Sequence, residues 1–178
     1  DAVKEFGADV LRLWTSSLDY QNDMSVSRSL IIRCSDAYRR VRNTFRYLLS
    51  NLYDFDPNVN TISYEELLEI DRWALHKTQK LIKDVTLSYE SLQLHRVFHN
   101  IYNFCTVEMS AFYLDILKDR LYTFAKNSKE RRSAQTVMQY ILVNLVKLSA
   151  PVIVHTAEEV WSAISYKDED VSSIHLST

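Results

Sequence analysis

Glycine and proline are nearly absent from this sequence of 178 residues. It has one glycine, Gly7, and two prolines, Pro57 and Pro151. A chain of average composition and this length would carry about a dozen glycines. Tight β-hairpins need glycine at positive φ, whereas long helices need almost none. The scarcity of both residues therefore argues against a hairpin-rich sheet and favours long helices joined by few loops.

Other classes of protein are excluded by what the composition lacks. Cys34 and Cys105 are too few and too far apart for a metal site or a disulfide framework, so we expect two buried free thiols in a reducing, intracellular compartment. No apolar run has the length of a membrane span, and no secretory signal opens the chain. The net charge of −2 gives no global attraction for nucleic acid, so any basic surface must be local. Because no methionine stands at position 1, we expect a piece of a longer protein.

The residues that most often carry chemistry are scattered. One glycine cannot build a phosphate-binding loop. His95 and His99 have the spacing of metal ligands on a helix, but no third ligand stands nearby. Asp115 and Asp119 are one turn apart and flanked by basic residues, which indicates local ion pairs. We therefore expect no catalysis and no metal or cofactor site in this chain.

Apolar residues recur at spacings of three and four and predict an all-α antiparallel bundle of four to five long helices with short flanking helices. Ser63 with Glu66, and Asn127 with Glu130, have the pattern of capping boxes. A bend is expected near Ser110. The predicted helices cover residues 2–14, 28–52, 63–88, 93–122, 127–149 and 156–164, and an extended tail follows from 166.

Basic and aromatic residues alternate on two parts of this bundle. Arg39, Arg42 and Arg46 step by three and four along one flank of the helix at 28–52. A second basic group surrounds the loop that precedes the helix at 127–149. Arginine and tyrosine on helices suit phosphate pairing and base stacking on unpaired RNA. The alternatives are a solvated flank, arginines paired with acidic residues of neighbouring helices, or a scaffold that binds proteins. The candidate RNA-binding residues are Arg39, Arg42, Arg46, Trp73, Lys118, Arg120, Tyr122, Arg131 and Arg132.

Several strings of residues resemble the class I aminoacyl-tRNA synthetases, and among them the isoleucyl-tRNA synthetases. Residues 6–14 (FGADVLRLW) resemble the helix that follows the Lys-Met-Ser-Lys-Ser loop of this class. Residues 37–46 (AYRRVRNTFR) and 68–75 (LEIDRWAL) are similar to the first helices of the anticodon-binding domain in the isoleucine, valine and leucine enzymes. Similarity to the isoleucine enzymes in particular extends over 102–105, 112–122 and 131–136.

The resemblance implies a division of the chain and a function. Residues 1–22 would connect to a catalytic domain, 23–165 would form the anticodon-binding domain, and 166–178 would lead to a C-terminal region. The domain would grip the anticodon stem and loop of isoleucine tRNA, so that the acceptor end reaches the catalytic domain of the same polypeptide. The resemblance also implies a cytoplasmic monomer whose ATP, Mg²⁺ and zinc sites lie outside this chain. The same domain of a valyl- or leucyl-tRNA synthetase remains an alternative.

Overall fold

The computed structural model describes residues 2–20, 27–165 and 171–177. Within these ranges the chain is all-α, without a strand, which confirms the predicted fold class. The α-helices are α1 (Ala2–Phe6), α2 (Ala8–Ser17), α3 (Arg28–Ser50), α4 (Pro57–Asn60), α5 (Glu69–Glu90), α6 (Leu94–Asn103), α7 (Leu114–Thr123), α8 (Lys129–Ser149) and α9 (Val154–Ala163). A π-helical stretch, Phe104–Tyr113, joins α6 to α7, and short 3₁₀ turns cover Tyr64–Glu66 and Ile174–Leu176.

Helix α8 is the central element of the bundle. Its apolar residues include Met138, Ile141 and Leu145, which are fully buried on a helix that is enclosed along most of its length. It packs against α5, α7, α3 and α9, and α5 in turn packs against α6. Because a long helix with apolar residues on most of its faces is stable only when surrounded, the other helices are arranged around α8. Cys34 and Cys105 are buried free thiols, as the sequence predicts.

Three predicted helix starts or continuations need correction. The helix expected over 2–14 is broken at Gly7, whose φ of 86° lies in the left-handed region, which glycine adopts without strain. Ser63 caps nothing with its side chain, and the segment that follows it forms only a 3₁₀ turn before α5 begins at Glu69. Ser128, and not Asn127, caps α8 through the backbone N–H of Arg131.

The helix expected over 93–122 is interrupted by the π-helical stretch where a bend was expected. There the Ser110 hydroxyl donates to the Cys105 carbonyl at 2.7 Å, five residues earlier. A π-turn accommodates extra residues and changes which side chains face the core. Tyr113 is consequently fully buried while its neighbour Phe112 remains exposed.

Helix α2 is fastened to the turn between α8 and α9. The buried Asp9 carboxylate accepts from the backbone N–H of Thr156 at 2.7 Å and from its hydroxyl at 2.6 Å, and so caps α9. Arg12 donates to the carbonyls of Pro151 and Val152, both at 2.9 Å. The segment predicted as a connector is therefore packed into the bundle along α2.

The end of the chain differs from the expected extended tail. Ile174 is buried in a 3₁₀ turn, and Ser173 caps that turn. Residues 166–170, which belong to the predicted acidic tail, lie outside the described residues. Among the helices of the described ranges, none is both long and apolar enough to cross a membrane.

Candidate nucleic-acid interface

The predicted arginine flank of α3 lies on the surface. Arg39 is exposed and pairs with Asp36 on its own helix, with 3.4 Å between nitrogen and oxygen. Arg42 reaches Glu159 of α9 at 3.1 Å, and both side chains remain more than half exposed. Arg46 is exposed, and no ion pair holds it within the described part of the chain. Exposed pairs of this kind are weak, so the three guanidinium groups remain available to an anionic ligand.

A groove of about 570 Å³ runs between α3 and α9, beside this flank. Arg42 and Glu159 stand on its two sides, and Asn43, Arg46 and Leu49 line it further. The side chains offer cationic donors, an amide with both donor and acceptor, and an apolar surface. Such a combination can pair with a phosphate or with the edge of a nucleobase.

Arg120, a candidate for RNA contact, lies inside the protein. Its guanidinium donates to Asp71 at 3.2 Å and 2.7 Å, and to the Glu130 carbonyl. Asp71 is fully buried and also accepts from the Tyr113 hydroxyl at 2.7 Å and the Ser133 hydroxyl at 2.5 Å. The Arg120 guanidinium and the Asp71 carboxylate thus pair with each other and form further hydrogen bonds within the protein. Buried charges are stable only when they are paired and hydrogen-bonded in this way. Arg120, named above as a candidate RNA-binding residue, is thus paired with an acidic residue of a neighbouring helix, as in the alternative given for the arginines.

Arg131 and Arg132, also candidates for RNA binding, are likewise paired inside the protein. Both side chains are buried and both pair with Asp54, which follows the end of α3. Arg131 makes a two-pronged contact with that carboxylate at 2.6 Å and 3.0 Å, and Gln135 adds a donor at 2.8 Å. Burial alone would raise the pKa of Asp54, but the hydrogen bonds from Arg131 and Gln135 and the two arginine charges lower it below its usual value. These arginines hold the α7–α8 end together.

The remaining candidates differ in their exposure. Trp73 is half-buried, with its ring edge-on to Phe112 at 4.8 Å and the Lys77 ammonium 5.4 Å from its centre. Lys118 is exposed beside Asp115, at 2.6 Å. Tyr122 is exposed.

Tyr122 lies against Tyr47 of α3. Burial raises the pKa of Tyr47, and the Tyr122 phenol beside it raises it further. Tyr122 therefore lies beside α3 at Tyr47, a proximity that the sequence alone could not show.

Two exposed aromatic residues, Tyr53 and Phe124, were missed by the sequence reasoning. Both stand outside the apolar helical stripes, in short segments that link helices. That position was the available signal, since an aromatic residue in a loop has no helical core to fill. As for metals, the described ranges hold no group of three or more His, Cys, Asp or Glu side chains that could bind an ion.

Comparison with known protein families identifies the family of this chain. The family described as the anticodon-binding domain of tRNA ligase matches residues 71–178. This chain belongs to that family. The anticodon-binding domain also has the fold of part of a crystal structure of the ternary complex of LeuRS, tRNA and LeuAMS from Agrobacterium radiobacter. That likeness covers 97% of this chain and 20% of the other, with a TM-score of 0.67 and 20% identity.

Curated relatives confirm the resemblance to isoleucyl-tRNA synthetases. The anticodon-binding domain is 51% identical over 178 residues to an isoleucine–tRNA ligase of Caldicellulosiruptor saccharolyticus, which covers all of this chain and 19% of the relative. It is 49% identical over 178 residues to that of Geobacter sulfurreducens, with the same coverage of both proteins. The chain thus spans about a fifth of the length of the curated relatives it matches.

Proposed function

We propose that this domain binds the anticodon stem and loop of isoleucine tRNA within an isoleucine–tRNA ligase. The observation that carries the proposal is the exposed arginine flank of α3, which borders the groove between α3 and α9. The relatives named isoleucine–tRNA ligase support the choice of tRNA. The domain itself carries no reaction, and its contribution is to hold one end of the tRNA.

The chemistry of the flank fits a loop of RNA. Arg42 and Arg46 can pair with backbone phosphates, because a planar guanidinium offers two parallel donors to a phosphate. Asn43, between them in sequence, lines the same groove and offers an amide whose donor and acceptor can pair with the edge of a base. Glu159 keeps Arg42 extended across the groove until a phosphate takes its place.

Holding the anticodon end fixes the direction in which the acceptor end points. In a ligase, this positioning replaces a random encounter between the tRNA end and the activated amino acid. Under this proposal the protein is a cytoplasmic monomer, ATP with Mg²⁺ acts in a catalytic domain of the same polypeptide, and zinc binds outside this chain.

The test is the affinity of the full-length protein for isoleucine tRNA across a salt series. Arg42→Ala and Arg46→Ala should each weaken binding and lower the salt slope by about one. Arg40→Ala is the matched control, since Arg40 is an exposed arginine on the other flank of the same helix. Wild-type affinity and slope in both flank variants would rule out this surface.

Two alternatives have distinct outcomes. A domain of a valyl- or leucyl-tRNA synthetase would prefer valine or leucine tRNA over isoleucine tRNA in competition. A helical scaffold for proteins would bind tRNA weakly and without a steep dependence on salt, because apolar contacts release no counterions.

A further inference from the structure

Three large aromatic side chains are exposed at the end of the bundle where α3 ends and α7 meets α8. The exposed fraction is 80% for Tyr53, 65% for Tyr122 and 41% for Phe124. Aromatic rings of this size are normally buried, since each removes a large apolar area from water. A group of them at one end of a closed bundle marks a contact surface. We call Tyr53, Tyr122 and Phe124 the aromatic end.

One buried guanidinium fixes the loop that carries two of these rings. Arg131 donates through Nε to the carbonyl of Leu121 at 3.3 Å, and through Nη1 to the carbonyl of Lys126 at 3.1 Å. These carbonyls lie at the two ends of the segment that holds Tyr122 and Phe124. The loop is therefore fastened at both ends and presents its rings in a fixed arrangement.

The same guanidinium holds the residue next to the third ring. Arg131 is held by Asp54, which directly follows Tyr53. Asp54 raises the pKa of Arg131 most, and the Tyr53 phenol raises it further because it lies near this guanidinium. Tyr122 is positioned a second time by Tyr47 of α3. The segments that carry the three rings are thus held by one buried guanidinium at the same end of the bundle.

We propose that the aromatic end stacks on unpaired bases of RNA, and this rests on the proposed function. Two observations favour RNA over a protein partner. The groove beside α3 reaches Ser50, the last residue of that helix, and Tyr53 follows three residues later in the chain. The loop also carries Lys126, an exposed cation with no described ion-pair partner.

Two of the nearby acidic groups, Asp54 and Asp115, are paired with cations. Asp54 is buried under two arginines, and Asp119 accepts from the Thr123 hydroxyl on its own helix. Asp115 is paired with Lys118. Bases splayed from a loop offer their faces to rings, whereas bases inside a closed A-form helix do not. The aromatic end would therefore select single-stranded nucleotides next to a stem whose phosphates lie on α3.

The experiment uses the full-length protein and two RNA hairpins. One is the anticodon stem-loop of isoleucine tRNA, and the other is the same hairpin with abasic nucleotides at the anticodon positions. Tyr53→Leu, Tyr122→Leu and Phe124→Leu should each weaken binding of the intact hairpin about fivefold or more. The same variants should bind the abasic hairpin as the wild type does.

Variants that keep a ring are the matched controls. Tyr53→Phe, Tyr122→Phe and Phe124→Tyr should retain the affinity of the wild type, because stacking needs the ring and not the hydroxyl. Circular dichroism verifies that each variant is folded. Equal binding of the intact hairpin by leucine variants and wild type would overturn the inference, as would an equal loss on both hairpins. Failure of the wild type to bind either hairpin would overturn the proposed function as well.

Discussion

Replacing Asp71 with asparagine removes the charge that neutralises Arg120 in the middle of the bundle. Asp71 is fully buried and accepts four hydrogen bonds, two from Arg120 and one each from Tyr113 and Ser133. Asparagine has nearly the same shape, but its amide group would direct donors at donors. It would also leave the Arg120 guanidinium buried without an anion.

The expected loss is large for a change of one atom. Breaking a buried ion pair by removal of one partner costs about 3–5 kcal/mol. For a domain of this size, each kcal/mol shifts the melting temperature by about 2–4 °C. Asp71→Asn should therefore lower the melting temperature by roughly 6–20 °C, with an unchanged dependence of the unfolding free energy on urea.

Urea unfolding followed by circular dichroism measures this loss directly. Asp115→Asn is the matched control, because Asp115 pairs with Lys118 on the surface and should contribute nothing measurable. The double variant Asp71→Leu with Arg120→Met removes both charges at once, but it leaves the buried Tyr113 and Ser133 hydroxyls without their acceptor. It should therefore recover only part of the lost stability. A single variant as stable as the wild type would refute the interpretation of this network.

The remaining predictions concern stability and reactivity. Burial raises the pKa of Cys34 to about 11 and that of Cys105 to about 12. Both thiols should therefore resist thiol reagents in the native protein at pH 8 and react in urea. Fast labelling of the native protein would contradict their burial. The pKa of Asp54 is lowered in the folded state, so its contribution to stability is complete above about pH 4 and is lost as the pH falls below that value. In urea titrations, the difference in unfolding free energy between wild type and Asp54→Asn should therefore shrink as the pH is lowered below about 4. Asp9→Ala should cost about 1–2 kcal/mol in thermal unfolding, because it removes the cap of α9, and an unchanged melt would show that the cap is dispensable.

The fold was accessible from the sequence because it depends on a repeating pattern. Cys34, Val41, Phe45 and Leu48 recur at helical spacing and are buried together on α3. The helix starts were less accessible, since a capping pattern such as that at Ser63 occurs also in short turns. The π-helical stretch has no simple signature, because the π and α forms differ by one residue per hydrogen bond.

Only part of the candidate site could be predicted from the sequence, because the exposure of each arginine depends on which acidic residue it pairs with. Arg42 and Arg131 both precede or follow polar residues and look alike in sequence, but one is exposed and the other buried. They differ in the carboxylate with which each pairs. The partner of Arg131 is Asp54, which is 77 positions away along the chain. A contact over such a distance cannot be inferred from local spacing. Loop aromatics such as Phe124 were overlooked because no periodicity marks them.

Hydroxyl-radical footprinting of isoleucine tRNA bound to the full-length protein tests the central claim most directly. If the arginine flank of α3 holds the RNA, the backbone of the anticodon stem and loop will be protected by the wild type and by Arg40→Ala. Arg46→Ala will lose protection at a discrete set of those nucleotides while protection at the acceptor end remains. An unprotected anticodon stem and loop in the wild-type complex, or an identical footprint for Arg46→Ala, would contradict the account.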